Sequence, residues 1–181
     1  MAYSTPATRS TGDVIGATQW NELVTDIRYL AQTDTNGAPI CVATRSTNQT
    51  IANGTVTAVT WNAETVDNAA FHSTSINTSR FTAPVSGWYR AVLNLEWASS
   101  AAGNREAYIL FNGTGNSLAD TKVPNVGAVT MGLSLAVPLF SMTAGQYVEV
   151  FCAQSSGGNL DLVGSAGFPR CTFSIEWAKQ P

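Results

Sequence analysis

Residues 87–97 read GWYRAVLNLEW, and polarity alternates along the whole stretch. Tyr89, Ala91, Leu93, Leu95 and Trp97 fall on one face, with Trp88, Arg90, Val92, Asn94 and Glu96 on the other. Side chains of a strand point to opposite sides in turn, so this period of two predicts a strand with one face in a core. Before it, Pro84 fixes φ and lacks an amide donor, while Gly87 permits positive φ, so the two bracket a turn between strands. The second face is not plainly built for water, since Trp88 and Val92 stand on it. Something is expected to cover that side too.

The chain from Pro39 onward repeats this grammar of short strand candidates and turn chemistry. ICVATR is followed by a run containing Asn53-Gly54, a strong hairpin signal. REAYILF ends at Asn112-Gly113, and the apolar Met131–Met142 run leads through Ala144-Gly145 into QYVEVFCAQ. The closing RCTFSIEWA sets Cys171, Phe173, Ile175 and Trp177 against Arg170, Thr172, Ser174 and Glu176. About eight to ten strands with no helix between them predict a β-sandwich or jelly roll. No repeat of fixed period appears, which argues against a fibre shaft or solenoid.

Charged residues are 12% of the chain, half the usual ~25%. Thr, Ser and Asn replace them, which suits strands with a neutral polar surface that is inexpensive to dry in an oligomer. Net charge is −3 and there is no Lys/Arg cluster, so nucleic acid is not expected as a partner. The longest apolar stretches lie around residues 131–140, short of the ~20 residues that span a bilayer, so no membrane contact is expected. The first residues, MAYSTPATRSTGDV, hold no apolar core of a signal peptide, and none is expected. Cys41, Cys152 and Cys171 each sit in an apolar run and read as small buried residues. A Cys152–Cys171 bridge requires their strands to pair, which sequence does not decide.

No catalytic set, metal site or cofactor site is legible. His72 is the single histidine and reads as a surface or loop residue near a strand end. No nucleophile elbow, phosphate loop or dinucleotide fingerprint occurs. Asp67 and Asp161 read as turn residues, with a loop calcium site as the alternative.

The N-terminal region differs. Residues 16–32 place Trp20, Leu23, Val24, Ile27, Leu30 and Ala31 on one helical stripe, with Gly16 as N-cap and Gln19 as its capping-box partner. The DTNG sequence ending at Gly37 stops the helix. Residues 1–35 are therefore expected to form an arm and helix, and residues 36–181 a separate domain.

Two resemblances follow from these stretches. RFTAPVSGWYRAVLNLEW, with Phe81, Pro84, Gly87 and Tyr89 as its signature, resembles the globular heads of complement's first component, subcomponent q, which are relatives of tumour necrosis factor. EAYILFNGTG, the Ala-Gly turn at Gly145 and CTFSIEWA are similar to that family in the same order. Arg90 and Gln146 depart from it, standing where the family has an aromatic residue and Asp. The resemblance implies a ten-stranded jelly roll that forms homotrimers, with aromatic residues near the three-fold axis. It assigns Tyr89, Phe140, Tyr147 and Phe151 to the sister-subunit interface, with Val148, Val150 and Cys152 facing the core. TGDVIGATQWNELVTDIRYLAQ resembles the leading segment of many tailed-bacteriophage virion proteins. That implies a virion anchor at Asp13, Val14, Ile15, Trp20, Leu23, Val24, Ile27 and Leu30. Together the two imply a capsid decoration (cement) protein on the virion surface, assembled in the host cytoplasm, with the major capsid protein as partner. The alternative is a head-fibre or tail-tip adhesin that binds its receptor through loops around Gly103, Gly115 and Gly157–Asn159.

Overall fold

The computed structural model describes residues 16–30, 37–113, 115–125, 127–165 and 167–181, with side chains left aside for 26–30. The chain divides into two units, Met1–Ala38 and Pro39–Pro181.

The first unit contains one helix, α1, Ala17–Leu30. Its start follows the sequence signal: the Gly16 amide donates to Gln19 Oε1 at 2.9 Å, the reach-back bond of a capping box. Trp20 and Leu23 are exposed and Val24 is half-buried. Asp13, Val14 and Ile15, and the side chains of Ile27 and Leu30, lie outside what is described.

The second unit is a sandwich of two antiparallel sheets. The first sheet orders β2 (Gln49–Ile51), β11 (Leu160–Leu162), β6 (Gly87–Trp97), β12 (Thr172–Lys179), β1 (Ile40–Thr44) and β4 (Ala63–Asp67), with β9 (Met131–Met142) also paired to β6. The second orders β3 (Thr57–Ala58), β10 (Tyr147–Gln154), β7 (Asn104–Phe111) and β8 (Ser117–Pro124), with β5 (Arg80–Thr82) also paired to β10. The described residues thus hold twelve strands where ten are expected, because β2, β3, β5 and β11 are pieces of two or three residues.

The turn signals have mixed fates. Asn112 and Gly113 both adopt positive φ, and β7 and β8 pair on either side of them, as a hairpin requires. Asn53-Gly54 is not a hairpin. Gly54 has positive φ, but β2 pairs with β11 and β3 with β10, so the turn carries the chain from one sheet to the other. The Ala144-Gly145 turn likewise joins β9 to β10 across the sandwich.

The core fills the space between the sheets. On β6, Tyr89, Ala91, Leu93, Leu95 and Trp97 all point inward and are buried. They meet Val148, Val150 and Cys152 of β10, the face expected inside, and Ala107 and Ile109 of β7. The three cysteines are buried and unbridged, in line with their reading as small core residues.

Candidate interaction face

The outer face of the first sheet holds the most directed feature of the surface. Strand register places Ala136 beside Val92, Val92 beside Ser174, Ser174 beside Val42, and Val42 beside Val66. Register partners share a face, so these residues make one row across β9, β6, β12, β1 and β4. At ~4.8 Å per strand the row is about 19 Å long. Val92 and Val66 are 43% and 37% exposed. The next rung on one side is Ser134, Asn94, Thr172, Thr44 and Ala63. It carries no charge and is bonded through Ser134 Oγ to Asn94 Oδ1 (2.7 Å) and Asn94 Nδ2 to Thr172 Oγ1 (3.2 Å). On the other side Arg90 faces Glu176 at 3.6 Å, an exposed pair of small energetic weight. A row that is apolar but for Ser174, between a neutral rung and a charged pair, has the layout of an interface core with a polar rim. Each row residue comes from a different strand, so no local pattern in the sequence displays it.

The signature residues serve the core. Phe81 packs against Phe173 at 4.6 Å, His72 at 4.9 Å and Trp61 at 6.2 Å between ring centroids. Gly87 is required by close approach: a Cβ there meets Trp177 Nε1 at 2.1 Å and the Lys179 carbonyl at 2.7 Å. The Tyr89 hydroxyl donates to the carbonyl of Val85, tying β6 back to the turn before it. Burial pushes this phenol up to about 12. A raised folded pKa stabilises the fold below the unfolded value of ~10, and that stability, roughly 3 kcal/mol, is lost as pH rises from about 10 to about 12. Tyr89→Phe is expected to be ~1 kcal/mol less stable at neutral pH from the lost hydrogen bond. Its stability then falls less steeply between pH 10 and 12, as read by urea denaturation across that range.

Similarity to solved structures identifies the architecture. No family model and no curated protein matches the sequence. The globular domain of zebrafish complement 1qA aligns with TM-score 0.56 at 16% identity, over 79% of this chain and 99% of that one. The Eiger TNF of S. frugiperda aligns with TM-score 0.60 at 9% identity, over 80% and 94%. Murine APRIL aligns with TM-score 0.59 at 10% identity, over 78% and 99%. The second unit has the complement-head and tumour-necrosis-factor-like jelly-roll fold.

On this complement-head-like domain, two of the four expected interface aromatics are placed elsewhere. Tyr89 is 0% and Phe140 7% exposed in the single chain, and their rings lie 6.3 Å apart inside the sandwich. Their surface is already taken up by the core, because the β6 face that carries Tyr89 turns inward. Tyr147 and Phe151 are half-buried on the outer face of the second sheet, opposite the core-facing Val148 and Val150. The Arg80 guanidinium stacks on Tyr147 at 4.3 Å and reaches Glu149 at 3.2 Å.

His72 is not a surface residue. Its side chain is buried, with Nδ1 at 2.7 Å from Glu64 and Nε2 at 3.0 Å from the Thr78 carbonyl. The Asp67 carboxylate accepts from the amides of Ala69, Phe71 and His72, so it shapes the loop that places the ring. Asp161 accepts from Asn48 Nδ2 and Thr50 Oγ1. Asp67 thus shapes a loop as expected, whereas Asp161 lies within strand β11 and bonds to side chains of the neighbouring β2 and the residue before it. Among the described residues no cluster of three metal-ligating side chains occurs.

The candidate receptor loops do not converge. Gly103 lies against Ser155, and the Gly157 amide donates to Asn53, so these tips share one end of the sandwich. The turn holding Gly115 is at the other end, where a Cβ on neighbouring Gly113 meets Tyr147. Arg105, fully buried, ties the shared end together by donating to the carbonyls of Ala102 and Asn104, both at 3.0 Å.

Proposed function

We propose that this chain is a homotrimeric structural protein of a tailed-bacteriophage virion. Its complement-head-like domain decorates the assembled shell, and residues 1–35 anchor it to the major capsid protein. The observation that carries the trimer is the uncharged five-strand row from Ala136 to Val66, apolar at every position but Ser174. The resemblance of the N-terminal segment to virion anchors supports the location. Binding only to the assembled shell stabilises that shell by mass action, and three anchors per trimer multiply weak contacts.

A three-fold contact is heterologous: two different patches meet, and they must be inclined for the ring to close. Opposite faces of a sandwich point in opposite directions. Joining the row to Tyr147 and Phe151 on the far sheet stacks chains into an open file. The second patch therefore belongs at a side of the sandwich, where Leu139 of edge strand β9 is 45% exposed.

The adhesin reading draws on one observation: Phe168, 78% exposed, stands in a loop whose Gly164 packs on Thr47. Copy number separates the two. Quantitative mass spectrometry of purified virions is expected to give about one copy per capsid subunit for a decoration protein. A handful of copies transfers the chain to a vertex or tail tip, and none at all removes it from the virion.

A further inference from the structure

Helix α1 carries an apolar stripe that a single helix of 14 residues leaves open to water. Trp20 is 56% and Leu23 is 39% exposed. In sequence position, Trp20, Leu23, Ile27 and Leu30 recur at spacings of three, four and three, the a and d positions of two heptads. Val24 follows at position e. Asn21, Glu22, Thr25, Asp26, Arg28 and Tyr29 fill b, c, f and g.

We infer that this stripe packs against the same stripe of two sister chains, forming a parallel three-helix bundle. The inference rests on the homotrimer reading above. Spacings of three and four keep these residues on one stripe, which a sister helix carrying the same stripe covers along its length. A lipid surface fits poorly, because membrane-lying helices carry a polar face rich in Lys and Arg. The polar face here has Glu22 and Asp26 against Arg28 alone. Sister helices are also the partners closest to hand. Residues 31–38 join each helix to its own head, so a trimer of heads holds three helices at an effective concentration of order mM. Ile at a with Leu at d also suits two strands. Val24 widens the stripe beyond a two-stranded seam, and the heads set the number at three. Contact with the virion then falls to the segment that contains Asp13, Val14 and Ile15.

Cysteine cross-linking of the full chain tests this. The three native cysteines are buried, so an added thiol on the helix is the accessible one. Leu23→Cys and Leu30→Cys occupy d positions, while Thr25→Cys occupies f and points away from the seam. Under diamide, both d variants are expected to give a disulfide-linked dimer on non-reducing gels, at most two chains in every three, at least tenfold faster than Thr25→Cys. Light scattering on the same samples reads the oligomer. A trimer whose d and f variants cross-link equally, or not at all, overturns the bundle and leaves the trimer standing. A monomeric wild-type chain overturns both. Using two d positions guards against one substitution disrupting the helix.

Discussion

Val92→Asp is expected to turn the proposed trimer into folded monomers. Val92 lies within the outward row, 43% exposed, between Ala136 and Ser174. Its side chain points away from the core, so the single chain keeps its fold and its far-ultraviolet circular dichroism. At an interface the same carboxylate is desolvated, and Arg90, the nearest cation on that face, is already paired with Glu176, so the cost is several kcal/mol per contact. About 4 kcal/mol corresponds to a roughly thousandfold loss of affinity, enough to separate subunits at micromolar concentration. Light scattering is expected to show one third of the wild-type mass. Asn94→Ala, on the neutral rung beside the row, is expected to leave the trimer in place. A Val92→Asp chain that stays trimeric moves the interface to another surface.

Phe81→Ala is expected to be the most damaging single change within the head. The ring is 0% exposed and is shared by Trp61, His72 and Phe173. Those neighbours come from separate segments, so they cannot close over the cavity together. Removing a buried Phe costs about 3–5 kcal/mol, a large part of the ~5–15 kcal/mol that holds a domain folded. For a domain of this size that lowers Tm by about 10 °C or more. Phe168→Ala is the internal control. Its side chain is 78% exposed, and truncation is expected to change stability by no more than ~0.5 kcal/mol. Equal losses from the two substitutions, measured by urea denaturation, contradict the assignment of Phe81 to the core.

Local patterns were readable before any coordinates. The alternation in β6 named all five core-facing residues, because a strand's two faces are defined by parity alone. The Gly16 and Gln19 cap was legible for the same reason, since both partners lie within one turn. Asn112-Gly113 and Asn53-Gly54 look alike in sequence, yet only the first closes a hairpin. Which strand each flanking segment joins is decided by distant partners. His72 does stand in a loop, as one of its two expected placements had it, but it is buried there rather than at the surface, for a related reason. Its burial depends on Glu64, Thr78 and the Phe81 ring, and on a loop folded around the Asp67 carboxylate.

The sequence by itself determined the strands, their inward faces, the capped helix and its apolar stripe, all of which follow from periodicity along the chain. Tertiary structure alone decided that Tyr89 and Phe140 belong to the core, and that Ala136, Val92, Val42 and Val66 lie in one line with Ser174. That line depends on the register of five strands, and register is fixed by hydrogen bonds between segments up to a hundred or more residues apart, where no local pattern reaches.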